Sequence, residues 1–378
     1  MWTMSVTLIA CLFAAFLYEL EEERLRVFSS EEVFISYKPI LYGFLFFLLL
    51  AVASFRTGFI DTPTYRRLFE EAGNQWTVLM EQGISFESEF GFVLLMNGLN
   101  KITDNSQILL FFCALVILGT AFYMIKRYSV DIIFSFLLFL FLEYVDGMNI
   151  VRQVFVGALF LLTLPLIQKK YFWRYVVVIL LVSTIHMSAV ICIPLYFLLR
   201  KRPSSVPILL LIGVGLALYL YPSLLEQIVE GFFGTSSKYA TYFHESEWQY
   251  GISPFRLLVQ GAPLCLLLIY EWKQRTAKKV DEEESPYYCI FANMMILNFL
   301  CNLLGSNMVI LARVAAYFSF ASVLMIPYLL QRLLTKESYA IVRWIVLLLY
   351  GLFFIYQLVS YQADGFLNGL EPIFWEVP

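Results

Sequence analysis

The sequence predicts an all-α, polytopic helical membrane protein with about 10–12 transmembrane helices, and three observations carry that expectation. Hydrophobic residues make up 60% of the 378 positions and charged residues only 15%, where a soluble domain has about 45–50% and about 25%. Mean hydropathy is +0.75. Apolar runs of roughly 20 residues, enough to cross a hydrocarbon core of about 30 Å, recur along the chain. These runs do not alternate apolar and polar residues, so a transmembrane β-barrel is not expected. The net charge of -3 gives no reason to expect a nucleic-acid partner.

Taken in order, spans are expected at about 2–19, 39–55, 107–125, 130–146, 150–167, 206–222, 254–271, 288–304, 309–330 and 341–361. The first run has neither a basic leader nor a small-residue cleavage site and reads as a helix that is retained. The segment 175–199 is flanked by basic loops on both sides, "QKKYFWR" and "RKRP". Two short half-helices turning near "STIHMSA" keep both loops on one face, so a short-helix hairpin is expected there, with His186 near its turn. Non-helical backbone at that depth requires burial in protein or a watery cavity. The cysteines at 11, 113, 192, 265, 289 and 301 are scattered through apolar runs and suggest neither a disulfide framework nor a metal site.

Basic clusters mark cytoplasmic loops: "EEERLR", "KRY", "QKKYFWR", "RKRP", "EWKQRTAKKVDEEE" and "RLLTKESYAIVR". With these inside, the chain reads as one integral membrane domain over 1–378 with two large extracytoplasmic loops, 56–106 and 223–253. In the first, "FGFVLLMNGLNKI" is too short and polar for a sure crossing and reads as an amphipathic interfacial helix. The second carries "SSKYATYFHESEWQY", an interfacial aromatic belt or a sugar platform, with His244 expected as a solvated residue.

This topology puts Arg56, Arg152 and Arg313 near the outer face. Arginine within a membrane is costly and faces a cavity or a partner, so three together read as an anion site. Each also has a plainer role: Arg56 snorkelling to the interface, Arg152 pairing with Asp146, Arg313 serving the fold. Arg152, at the mouth of "NIVRQVFVGALFLLTLPLI", has no acid immediately beside it in sequence.

The segments "FRTGFIDTPTYRRLF", "ESEFGFVLL", "NIVRQVFVGALFL", "STIHMSA" and "ARVAAYFSF", in that order and spacing, resemble the EpsG family within the Wzy class of polysaccharide polymerases. The resemblance implies a GT-C-like membrane glycosyltransferase of the bacterial inner (cytoplasmic) membrane, with its active site facing the extracytoplasmic side. Its implied partners are undecaprenyl-pyrophosphate-linked oligosaccharides, as donor and acceptor, and the lipid bilayer; a chain-length regulator is also compatible with it. The product would be an exopolysaccharide, capsule or O-antigen, made without a cofactor or metal, with release of undecaprenyl pyrophosphate. One departure stands out: the family pattern has Gly-x-Asp after the arginine, whereas Phe59 and Ile60 separate Gly58 from Asp61 here.

On that reading Arg152 and Arg313, assisted by Arg56, grip the donor pyrophosphate, because guanidinium groups hold phosphate oxygens bidentately. The counter-ion of Arg152 would then be the substrate. Asp61, Glu89 and His186 are the candidate bases for the acceptor hydroxyl, while Tyr65, Gln153 and Tyr317 are assigned to the sugars. Gln153 could equally fix Arg152. The "ESE" of Glu87 and Glu89 is the nearest thing to a metal-binding carboxylate pair. A glycan ligase and a flippase for the lipid-linked unit are the alternative functions.

Overall fold

The computed structural model describes residues 2–28, 36–83, 88–233, 252–277 and 285–363, and the chain sorts into two compact units, Met1–Ala158 with Val342–Pro378, and Leu159–Ile341. Helices dominate both, as the apolar runs require: in lipid each backbone N–H and C=O needs an internal partner, and a helix supplies them all.

In the first unit, α1 (Trp2–Phe28), α2 (Lys38–Phe55) and α6 (Gln107–Tyr128) pack side by side with α2 between the other two. Pro39 sits in the first turn of α2, where its missing N–H has no consequence. The Tyr42 hydroxyl donates to the Phe122 carbonyl at 2.8 Å, and Phe122 stacks edge-on against Phe46 and Phe136. Between α2 and α6 lie three short helices, α3 (Thr62–Glu70), α4 (Ala72–Gln82) and α5 (Phe90–Asn100). The segment at 90–103 forms the short helix α5, which buries Phe92, Val93, Met96 and Leu99. The span expected at 130–146 is α7 (Ile132–Leu142), only 11 residues long, followed by the one-and-a-half-turn α8 (Tyr144–Asn149). The Asp131 side chain caps α7 by accepting the Phe134 N–H at 3.0 Å, and every residue from Ile133 to Leu142 is buried. Chain then enters α9 (Val151–Gln168), whose first half belongs to this unit.

In the second unit, α10 (Phe172–Ser183) and α11 (Cys192–Leu199) form the hairpin expected over 175–199. Phe172, at the start of α10, meets Tyr196 and Phe197 near the end of α11 with ring centroids 5.0 and 5.1 Å apart. Contact between the first residues of one helix and the last of the next makes the pair antiparallel. The Tyr175 hydroxyl closes it on the Cys192 carbonyl at 2.6 Å. Then follow α12 (Val206–Leu220), α13 (Pro222–Phe233), α14 (Pro254–Ala277), α15 (Tyr288–Gly305), α16 (Val309–Val314) and α17 (Phe320–Leu333). The α12–α13 pair bends by 106°, and the α16–α17 pair by 60°. The core helix is α15, packed on α11, α12, α14, α16 and α17. Its buried amides anchor it to neighbouring elements: the Asn293 amide nitrogen donates to three carbonyls, Leu198, Leu199 and Lys201, at and just past the end of α11. Asn298 donates to Gln260 on α14 at 3.0 Å and accepts from Asn302 at 3.0 Å.

The last helix, α18 (Lys336–Ala363), is joined to the first unit by Arg343, which pairs with Asp131 at 3.0 Å and with Glu19. Among the described residues, seven helices are long and apolar enough to cross a membrane, or nine if each bent pair is one span. These nine match nine of the ten expected spans; the tenth, 130–146, is instead the short α7 followed by α8.

Candidate functional site

The N–x–x–R–Q motif and the first large loop meet inside the first unit. Arg152 lies in the opening turn of α9, just after Ile150 breaks the run from α8 with ψ 57. Its Nη1 donates to Glu89 Oε2 at 2.6 Å. Its backbone N–H donates to the Tyr65 hydroxyl at 3.2 Å. The guanidinium carbon stands 6.0 Å from the Tyr65 ring centroid and 5.5 Å from that of Phe92, and the two rings meet edge-on at 6.2 Å. Cation–π attraction at such distances is worth about 0.5–2 kcal/mol and holds the charge in place. Arg152 thus has a protein counter-ion in Glu89, 63 residues upstream. The side chains of Arg152 and Glu89 keep 29% and 10% of their exposure, so the arginine can be reached while the carboxylate is sheltered.

Local backbone conformation sets this arrangement. Four non-glycine residues among those described have positive φ, and three of them frame the site: Phe59 (123°), Ile60 (38°) and Glu89 (49°). Such conformations cost of order 1–3 kcal/mol each and persist only where surroundings impose them. Phe59 and Ile60 are the two residues that depart from the Gly-x-Asp pattern. They turn the chain from α2 into α3, with the Thr62 N–H donating to the Phe59 carbonyl at 2.8 Å. Phe59 is buried and its ring meets Tyr361 edge-on at 5.7 Å. Asp61 comes out of this turn as the N-cap residue of α3. Tyr65 follows one turn later, where the 62, 65, 69 spacing gives α3 its buried face.

Tyr65 is 4% exposed. Burial raises its phenol above the ordinary tyrosine value against the opposing pull of Arg152, so the phenol stays protonated at neutral pH. Its hydroxyl accepts the Arg152 backbone N–H and its ring packs against Phe92 and the Arg152 guanidinium. Gln153, also buried, is the next residue along α9, about 100° further round the helix.

Arg56 has a different setting from the one the anion-site expectation gave it. It is 2% exposed, donating from Nε to Thr62 Oγ1 at 2.9 Å, from Nη2 to the Met148 carbonyl at 3.2 Å, and from Nη1 to the Ala53 carbonyl. Burial lowers its pKa to about 10, still cationic at neutral pH. The Arg56 carbonyl accepts from Arg66 and from Gln107, and these two side chains bond each other at 2.6 Å. Arg56 therefore ties the end of α2 to the starts of α3 and α6 and the end of α8. A buried guanidinium with three protein acceptors holds the loop and is not presented to a ligand.

The second unit carries the other motif residues. His186 sits at the break of the α10–α11 hairpin, with extended φ −151° and ψ 113°, capping a 3-10 turn over Met187–Ile191. Within that turn, Ser188 Oγ lies 2.5 Å from the Tyr317 hydroxyl. Tyr317 ends the 3-10 turn Ala315–Tyr317 that follows α16, which bears Arg313. This one bond links the His186 turn to the Arg313 turn, and it gives Tyr317, 1% exposed, a fixed partner. Arg313 and His186 are both half-buried. Gly305 enables the approach: a Cβ there would lie 2.6 Å from Ala312 Cβ and 2.8 Å from the Ala312 backbone nitrogen.

Thr62, Phe92, Gln107 and Ser188 were not singled out by sequence reasoning. Thr62, Phe92 and Ser188 carried a signal in their places in "FRTGFIDTPTYRRLF", "ESEFGFVLL" and "STIHMSA", and Gln107 carried none. Glu87 and His244 lie outside the described residues.

Fold and site together define a polytopic, all-helical membrane protein with an arginine–carboxylate centre built from its first large loop and the mouth of a span. It belongs to the EpsG family, which matches over residues 39–368, and this membership points to a function of the polysaccharide-polymerase type. No curated protein and no solved structure matches the chain.

Proposed function

We propose that this protein is a membrane glycosyltransferase that polymerises oligosaccharide repeat units carried on a polyprenyl pyrophosphate, without a metal ion, at the extracytoplasmic face of the bacterial cytoplasmic membrane. The observation that supports this most is the Arg152–Glu89 pair between the Tyr65 and Phe92 rings. In such a transfer the bond between the anomeric carbon and the pyrophosphate oxygen breaks, and negative charge builds on the leaving group. Preorganised cations aimed at that charge are typically the largest catalytic contribution. Arg152 is reachable, fixed in place and able to form two parallel bonds to phosphate oxygens.

Binding of the donor then sets the pair to work. The pyrophosphate competes for Arg152, and Glu89 loses its partner. A sheltered carboxylate without its counter-ion is more basic, which suits it to take the proton from the attacking acceptor hydroxyl. The hydroxyl oxygen forms the new glycosidic bond, and polyprenyl pyrophosphate departs. Asp61 remains an alternative base in the same unit. Roles for Arg313 and His186 toward the substrate rest on their motifs and are tested by substitution.

The test is chain extension by purified protein in detergent, supplied with a lipid-linked repeat unit and EDTA. A product ladder from the wild type, lost in well-folded Arg152→Ala and Arg313→Ala variants, is the expected result. Extension where there is no membrane to cross also removes the flippase reading. A ladder that persists in both variants sinks the arginine mechanism. A ladder that needs an added divalent ion overturns metal independence.

A further inference from the structure

One side of helix α4 is open and largely polar. Glu71, the N-cap residue, with Asn74, Gln75 and Val78 follows the i, i+3, i+4, i+7 spacing that places side chains on one side of a helix. Here that face borders a cleft of about 470 Å³ shared with α5. Across from it, Ser88 and Val93 line the other wall, and Leu79 joins Val78 in the apolar part. The volume falls within the roughly 300–1,000 Å³ of small-molecule sites.

The lining chemistry narrows the ligand. A carboxylate, two amides and a hydroxyl offer both donors and acceptors, while the three aliphatic side chains offer C–H surface. Among the described residues no lysine or arginine lines the cleft, which makes it a poor fit for a pyrophosphate. Groups that both donate and accept beside an apolar patch match a sugar ring, which has hydroxyls at its edge and C–H bonds on its faces. Ser88, on the cleft wall, directly precedes the proposed base Glu89 in the chain. We propose that the α4–α5 cleft is a glycan subsite that holds sugars of the acceptor repeat unit and brings its hydroxyl to Glu89. This rests on the polymerase reading above and names where the acceptor is held.

Asn74 is exposed and Gln75 half-buried, so replacing them leaves the fold intact. The test titrates the free oligosaccharide, released by mild acid from the lipid-linked repeat unit, into purified full-length protein and follows ligand NMR saturation transfer. Wild type is compared with Asn74→Ala/Gln75→Ala, with Val78→Trp, which fills the cleft, and with Thr77→Ala, an exposed residue of α4 outside the cleft lining. Loss of two amide contacts at about 1 kcal/mol each predicts binding weaker by about 10–30-fold. Val78→Trp loses binding too, and Thr77→Ala is unchanged. In extension assays the double variant raises KM for the acceptor by a similar factor and keeps kcat. Equal binding by wild type and double variant, or no binding by wild type, overturns the subsite even where chains still extend. Binding lost in the cleft variants but no extension by wild type supports a glycan site and overturns the polymerase reading instead.

Discussion

Replacing Arg152 by alanine strands a carboxylate that is 7% exposed and loses a partner 2.6 Å away. Removing one member of a fully buried pair costs about 3–5 kcal/mol. The Arg152 side chain retains 29% exposure, so water softens that penalty, and the expected loss of stability is about 2–3 kcal/mol. Glu89→Gln, which keeps the shape but not the charge, loses less, about 1–2 kcal/mol. The two losses will not add. Once the carboxylate is an amide, nothing charged is stranded by Arg152→Ala, and the double variant recovers about 1–2 kcal/mol relative to the sum. Thermal unfolding in detergent of wild type, both single variants and the double variant measures this coupling. Chain extension on the same four samples separates stability from chemistry: all three variants should lose at least about 100-fold, the scale of a lost general base or leaving-group donor. Additivity within about 0.3–0.5 kcal/mol would refute the pair itself. Near-normal extension by Arg152→Ala would refute its role at the pyrophosphate.

Three further outcomes follow from the same geometry. Ile60→Gly should stabilise the protein by about 1 kcal/mol, because a β-branched residue at φ 38° is strained and glycine is not; a fall in unfolding temperature would show that the Ile60 side chain contributes more than its backbone costs. Gly305→Ala should destabilise by about 1–3 kcal/mol, since the new methyl meets Ala312 backbone at 2.8 Å and only a shift of the α15–α16 turn makes room; unchanged unfolding would mean that the turn is slack. Arg56→Lys should cost about 2–3 kcal/mol and lower the yield of folded protein, because a single ammonium cannot reach Thr62, Ala53 and Met148 together. A well-folded Arg56→Lys protein that fails only in extension would return Arg56 to the substrate.

Composition and periodicity alone determined the fold class and the position of the spans, because a lipid solvent allows few solutions and a run of about 20 apolar residues has one dominant structure. The hairpin at 175–199 was legible for a related reason, as flanking basic loops restrict which faces its ends can occupy. The motif order also placed Arg152, Glu89 and His186 among the residues of interest. Pairing was another matter. Glu89 and Arg152 are 63 residues apart, and which carboxylate meets which guanidinium depends on how α3, α5 and α9 pack, a set of distances with no local pattern. The same holds for Arg56, whose charge read as an anion ligand until three protein acceptors enclosed it. Tyr65 read as a sugar contact, and its packing against Phe92 and Arg152 had no local signature. Sequence sets each helix through interactions within a few residues, and the site arises from contacts between helices, which only the tertiary structure decides.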